Sequence, residues 1–111
     1  MNRVGIIDIG PSSLRLILTE VNEHGYFKII DELKTSIRLC HDLVTDYGIC
    51  NENFKTILST LRAYKSLCTV SGANKIFAVA TESLREAKNK DVLLPLIKKE
   101  LDIDKIGRAS C

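Results

Sequence analysis

The 111-residue sequence has no tryptophan, one methionine, two prolines and no long run of apolar residues. Its apolar stretches are interrupted by Asp8, Arg15, Glu20 or Lys75, and they fall well short of the ~20 residues that cross a bilayer. The N-terminus also lacks the pattern of a signal peptide. We therefore expect a cytoplasmic protein that does not use a membrane.

Concentrated positive charge is also missing. The 16 basic and 14 acidic residues leave a net charge of +2 and are mixed along the chain, without the basic stripe that neutralises nucleic-acid phosphates. Nucleic acid is therefore not expected as a partner. The cysteines, at positions 40, 50, 68 and 111, form no C-x-x-C pair, so we predict reduced thiols rather than zinc ligands or disulfides.

The composition is that of an ordinary soluble domain. Hydrophobic residues make up 45% of the chain and charged residues 27%, values typical of globular proteins. A chain of this length has room for one core. We predict a single domain over residues 1–111.

The first third of the chain has the pattern of an antiparallel meander. β-Branched residues and polar/apolar alternation predict strands over residues 3–9, 14–21 and 26–35. The segment Asn-Glu-His-Gly at 22–25 is a turn signal between the second and third. No helix is expected before residue 50.

The remainder alternates helices and strands. An apolar stripe predicts a helix that starts near Asn51 and stops at Gly72. A buried strand is expected over 75–80, a helix directly after it, and a second amphipathic helix over 92–101 with Pro95 in its first turns. Residues 101–106 look like the approach to one more strand, incomplete when the sequence ends.

The stretch "DIGPSS", residues 8 to 13, contains an acid, a glycine turn and two hydroxyls at a strand end. Such a turn can hold a phosphate on backbone N–H groups and hydroxyls, while the acid holds a cation through water. Asp8, Gly10, Ser12 and Ser13 would supply these groups. The same residues also occur in ordinary hairpin turns, and spacing alone does not decide between the two interpretations.

A second segment, "VATESLREAKN", follows the predicted strand 75–80. Open α/β sheets bind ligands beyond the carboxyl ends of their strands, and the arginine of this segment, Arg85, is suited to bidentate phosphate contact. By itself Arg85 is better interpreted as a solvated side chain on the first turns of a helix, paired with Glu82 or Glu86.

Together the two segments resemble a family. "IIDIGPSSLRLILTEV" is similar to the first phosphate-loop motif of the exopolyphosphatase and guanosine pentaphosphate phosphatase (Ppx/GppA) family, usually D-I-G-S-N-S-x-R-L. "VATESLREAKN" resembles its V-A-T-x-A-L-R-x-A-x-N motif, and "SIRLCHDL" resembles a V-R-L-G-E-G-L segment. The resemblance covers nearly the whole chain in the same order.

The resemblance implies a ribonuclease H-like α/β domain of the actin, sugar kinase and acetate kinase type, normally paired with a second domain. It also implies Mg²⁺ and hydrolysis of the terminal phosphate of inorganic polyphosphate or of the guanosine nucleotide pppGpp. Asp8 would lie near the metal, Gly10, Ser12 and Ser13 would line the phosphate loop, and Arg85 would bind the phosphoryl group. Arg38 is a weaker candidate for the same cleft.

Some parts of the family pattern are missing here. The S-G-x-E-E-A motif that carries the family's general base is absent, so no catalytic base is assigned. Pro11 replaces the usual serine, which removes a hydroxyl and a backbone N–H from the loop.

Three hypotheses stay open. The chain is the N-terminal part of a phosphoanhydride hydrolase that lacks its C-terminal domain, or it is a non-catalytic phosphate- or nucleotide-binding remnant. The third hypothesis is an interaction module or homo-oligomer that pairs through an exposed sheet edge.

Overall fold

The computed structural model describes residues 2–10, 13–36, 51–80, 90–103 and 106–108. In chain order the elements are β1 (Asn2–Ile9), β2 (Ser13–Val21), β3 (Phe27–Ser36), α1 (Asn51–Val70), β4 (Ala73–Ala80), α2 (Lys90–Leu101) and β5 (Gly107–Arg108). The strands form one sheet in the order β3-β2-β1-β4-β5. The predicted meander and the α/β alternation after it are both confirmed.

Strand β1 lies at the centre of the sheet. It pairs antiparallel with β2 and parallel with β4, and β4 pairs parallel with β5. Because β4 and β5 run parallel, the chain between them must cross over, and α2 lies within that crossover. The carboxyl ends of β1, β4 and β5 therefore share one end of the sheet, which we call the carboxyl end.

The core lies between the sheet and the two helices. Alternate residues of β1, Ile7 and Ile9, are fully buried in the same apolar cluster as Ile57 and Leu61 of α1 and Ile97 of α2. Successive strand residues point to opposite faces, so both helices cover one face of the sheet and Asp8 points to the other. No helix within the described ranges has the length and apolar character needed to cross a membrane.

Gly5 marks the closest approach of α1 to the sheet. A Cβ built on Gly5 would lie 2.5 Å from Sγ of Cys68 on α1. Burial raises the pKa of the Cys68 thiol, which therefore stays protonated and packs as a small apolar side chain. Glycine at position 5 is what allows the helix to lie this close.

Both helices end as the sequence indicates. Gly72 has φ of +80° two residues after α1, a conformation that suits glycine. At the end of α2, Asp102 has φ of +55°, its N–H donates to the Lys99 carbonyl, and the Ile103 N–H donates to the Lys98 carbonyl. This pair of bonds is a Schellman motif with aspartate in the position usually taken by glycine.

One helix boundary shifts. α2 begins at Lys90 rather than at residue 92, and Pro95 lies within its first two turns, as predicted. Proline there leaves the carbonyl one turn earlier without its helical N–H partner. The approach to one more strand is confirmed, because the two-residue strand β5 begins at Gly107, directly after residues 101–106. The helix expected directly after β4 lies outside the described residues.

The contact between Gly5 and Cys68 predicts a non-additive pair of substitutions. Gly5→Ala should lower the free energy of unfolding by ~1–3 kcal/mol, because the added methyl overlaps the sulfur. Cys68→Ala removes that sulfur, so Gly5→Ala should cost less in the Cys68→Ala background than in the parent. Urea denaturation of the parent, both single variants and the double variant measures this. Equal costs in the two backgrounds would show that the helix does not approach Gly5 as described.

Candidate functional site

Termini of all five strands meet at the carboxyl end of the sheet. The register pairs Ile9, the last residue of β1, with Leu14 at the start of β2 and with Ala80 at the end of β4. Ala80 in turn pairs with Arg108 on β5. Loops that leave these termini are therefore neighbours, although they are far apart in sequence.

Of the candidate site residues, the structure brings Asp8, Gly10 and Ser13 together at this end. Ser13 also pairs with Ser36, the last residue of β3, so β3 ends here as well.

The other candidates lie outside the described residues. Ser12 is in the turn between β1 and β2, Arg38 comes two positions after the end of β3, and Arg85 comes five positions after the end of β4. Each of these segments leaves the sheet at its carboxyl end. Their side-chain positions stay predictions.

The turn between β1 and β2 is tight. The N–H of Gly10 donates to the carbonyl of Ser13 over 2.9 Å, which closes a hairpin with Pro11 and Ser12 between the bonded pair. A Cβ built on Gly10 would lie 3.2 Å from that carbonyl oxygen and 3.8 Å from the Ser13 Oγ. Glycine therefore lets the two backbones and the serine hydroxyl crowd together at this point.

Asp8 carries a buried side-chain oxygen, Oδ1, that has no hydrogen-bond partner among the described residues. Buried polar atoms almost always have a partner, and burial of an unpartnered carboxylate oxygen is costly. The atom is thus placed to bind a group that the chain itself does not supply.

Among the described residues, the arginine opposite Asp8 points elsewhere. Arg15 lies directly opposite Asp8 in the β1–β2 register, but its Nε contacts Oε1 of Glu32 on β3 at 3.4 Å. Both members of that pair are roughly half exposed, so the ion pair contributes little to stability. Its effect on the site is that Arg15 is held by Glu32 and is not paired with Asp8.

Tyr64 fixes the start of β2 from the helix side. Its buried hydroxyl donates to the carbonyl of Leu14 over 3.2 Å and shares a 2.6 Å hydrogen bond with Oγ1 of Thr35. Leu14 directly follows Ser13, and Thr35 pairs with Leu14 across the sheet. One hydroxyl therefore ties α1 to β2 and β3 beside the candidate loop.

The donor set fits a hydrated divalent cation. Mg²⁺ prefers oxygen ligands and usually binds through one or two carboxylates, water and substrate phosphates. Asp8 offers one such carboxylate, and no group of three or more acidic, His or Cys side chains converges within the described ranges. A cation here would need water and a phosphate to complete its shell.

A separate cleft of about 670 Å³ runs along β4 and the end of α2. Its lining includes Lys75, Phe77, Asp102 and Ile103, and it includes none of the candidate site residues. The candidate site at the carboxyl end is therefore not part of this cleft.

Comparison with known proteins decides the family. Residues 16–105 match the profile of the Ppx/GppA phosphatase family. The chain belongs to that family. The match covers most of the sequence and includes the core residues from Leu16 to Leu101.

Solved structures show the same fold. A Ppx/GppA phosphatase from Aquifex aeolicus superposes with a TM-score of 0.83 at 28% identity, covering 98% of this chain and 36% of that one. An exopolyphosphatase from Cytophaga hutchinsonii gives 0.82 at 26% identity, covering 96% and 34%. The Ppx/GppA chain described here thus has the ribonuclease H-like fold of the actin and sugar kinase type, as the sequence motifs imply.

A curated relative, exopolyphosphatase 1 of Mycobacterium tuberculosis, is 22% identical over 102 residues, which is 92% of this chain and 30% of that protein. The chain therefore spans about a third of the length of the relatives it matches, and it corresponds to their N-terminal part.

Two residues near the candidate site of this Ppx/GppA chain were not predicted from its sequence. Tyr64 belongs to the apolar stripe of α1, and nothing in that stripe signals a hydrogen bond to a carbonyl 50 positions earlier in the chain. Arg15 has a detectable signal, since strand alternation places it on the same face as Asp8. Its pairing with Glu32 depends on the β2–β3 register.

Removal of the Tyr64 hydroxyl should loosen the loop end of the sheet. Tyr64→Phe should lower the free energy of unfolding by ~1–2 kcal/mol, because a buried carbonyl loses its donor. The matched control is Tyr26→Phe, whose ring is 74% exposed and which should leave stability unchanged. Chemical denaturation of both variants measures the difference. Equal stability of the two would mean that the Tyr64 hydroxyl does not anchor β2.

Proposed function

We propose that this chain is the phosphate-binding part of a phosphoanhydride hydrolase that removes the terminal phosphate of inorganic polyphosphate. The observation that carries the proposal is the buried, unpartnered Oδ1 of Asp8 at the sheet end from which the other candidate segments leave. Membership in the Ppx/GppA phosphatase family supports the substrate class.

Each candidate has a role in this proposal. Asp8 holds Mg²⁺ through water, and Gly10 lets the loop backbone approach a phosphate while Ser12 and Ser13 contribute hydroxyls. Arg85 binds the phosphoryl group as a bidentate donor, and Arg38 adds a second positive charge. When bound, the cation supplies positive charge that offsets the charge developing on the phosphoryl oxygens.

The chain is expected to bind rather than to hydrolyse when alone. Attack by water on phosphorus requires a general base, and the 111 residues contain no S-G-x-E-E-A motif. Polyphosphate is the proposed substrate because the relatives include exopolyphosphatases, and the guanosine nucleotide pppGpp is the alternative. We place the protein in the cytoplasm, where both compounds would be available to it.

A second candidate, a non-catalytic phosphate-binding remnant, is favoured by Pro11. Proline removes one backbone N–H from the loop, and that N–H is one of the groups a phosphate loop uses. This candidate and the first predict the same binding residues. They differ in whether the complete protein turns over its ligand.

Calorimetric titration of the chain with polyphosphate in the presence of Mg²⁺ tests the site. We expect binding that weakens at least tenfold in Arg85→Ala, because charge-assisted hydrogen bonds contribute ~1.5–3 kcal/mol each. Asp8→Asn should bind polyphosphate with little dependence on Mg²⁺. Asp102→Asn and Arg62→Ala are matched controls; Asp102 follows the end of α2 and Arg62 lies on α1, and both should bind as the parent does.

Two results would contradict the proposal. Absence of heat in the parent would exclude a phosphate site, and unchanged Mg²⁺ dependence in Asp8→Asn would remove Asp8 from it. Assay of released phosphate then separates activity from binding. The isolated chain should release negligible phosphate from polyphosphate, and measurable release would show that a general base is present among these residues.

A further inference from the structure

Strand β3 forms one outer edge of the sheet. It pairs only with β2 among the described strands, so its other side presents backbone N–H and C=O groups to solvent. Apolar side chains are exposed along it, including Phe27 at 70%, Ile29 at 52% and Leu33 at 38%. A long, exposed and partly apolar edge strand is a template for pairing with another strand.

A bulge divides β3 into two parts. The β2–β3 register shifts so that Leu18 pairs with Asp31 and Thr19 with Ile29, which leaves Ile30 as the extra residue. Bulges are devices that protect strand edges, and this one interrupts the edge at Ile30. The half without the bulge, residues 31–36, has a regular register with β2 and is the part that can accept a partner strand.

Symmetry restricts how two copies of this half can pair. In an antiparallel pair of identical strands, a two-fold axis passes through one residue, which lies opposite itself. Opposed residues must both turn their backbone groups toward the partner or both turn them away. An axis between two residues would place each residue opposite its sequence neighbour, whose backbone groups point to the other side of the strand. The axis must therefore pass through a residue.

Charge then selects the residue. An axis at Asp31, Glu32 or Lys34 would place two like charges directly opposite each other, which is destabilising. An axis at Leu33 places the Leu33 residues of the two copies opposite each other. Each Glu32 then lies opposite the Lys34 of the other copy. An axis at Thr35 or Ser36 would leave at most three residues of the regular half paired.

We infer that two copies of this chain associate through β3, antiparallel, with Leu33 on the two-fold axis, to form a continuous ten-stranded sheet. Leu33 pairs with the core residue Leu16 in the β2–β3 register, so the two Leu33 side chains meet on the helix-covered face. Glu32 and Lys34 point to the opposite face. The surface is complementary to itself, as an isologous dimer requires.

The orientation of neighbouring groups agrees with this arrangement. Thr35 is held toward α1 by its hydrogen bond with Tyr64, which keeps the helix-side face of β3 in a fixed position. Glu32 contacts Arg15 from the other face at 3.4 Å, and a carboxylate can accept from both Arg15 and the Lys34 of the second copy. The dimer therefore needs no rearrangement of the described contacts.

Charge reversal tests both the association and its register. Sedimentation of the parent chain over micromolar to millimolar concentrations should show a monomer–dimer equilibrium. Glu32→Lys and Lys34→Glu should each weaken dimerisation by roughly tenfold or more, because two cross-strand pairs change from attractive to repulsive. An equimolar mixture of the two variants should restore it, since each Lys then faces a Glu. Glu23→Lys, in the exposed turn before β3, is the charge-matched control and should dimerise as the parent does.

The outcomes are decisive in both directions. The dimer is supported if dimerisation is lost in each single variant and recovers in the mixture. Hydrogen-exchange protection of residues 31–36 should also rise with concentration. A parent that stays monomeric throughout, or a Lys34→Glu variant that dimerises as well as the parent, would overturn it. Because these residues are not among the proposed ligand-binding residues, failure here would leave the phosphate site intact.

Discussion

The register of β1 is the constraint on which the rest of the structure depends. Ile7 and Ile9 are fully buried against the helices, and the residue between them must then point to the opposite face. A shift of one residue would bury Asp8 in the apolar core and expose both isoleucines. Pairing on both sides, antiparallel with β2 and parallel with β4, prevents such a slip and holds the Asp8 carboxylate at the carboxyl end of the sheet.

That position has a cost in stability. A carboxylate oxygen without a partner in a buried position opposes folding, and the apolar cluster beneath it must offset this. The hairpin that follows shows a related compromise, because Gly10 accepts close contact with the Ser13 carbonyl while Pro11 stiffens the turn and removes a donor. Local rules are broken together in one place, as is typical of functional sites.

The sequence predicts most of the fold because each element buries one face. Alternation identifies the strands of the meander, and the apolar stripe from Ile57 to Cys68 identifies α1. The sequence indicates α2 only from Val92 because the first two residues of that helix, Lys90 and Asp91, add no apolar signal. Contacts that depend on packing or register, such as Gly5 against Cys68 and the bulge at Ile30, have no local pattern to reveal them.

The candidate site is only partly predictable for the same reason. A motif identifies Asp8 as an acid at a strand end. The parallel β1–β4 pairing explains why Val79, near the end of β4, lies beside it. The hydroxyl of Tyr64 and the partner of Arg15 follow from tertiary contacts alone. The most direct test of the account is to map by NMR which backbone amides shift when Mg²⁺ and pyrophosphate are added. The shifts should fall on Gly10, Ser13, Ala80 and Arg108 at the carboxyl end of the sheet; shifts confined to the opposite end, around Ala73 and Asp102, would contradict it.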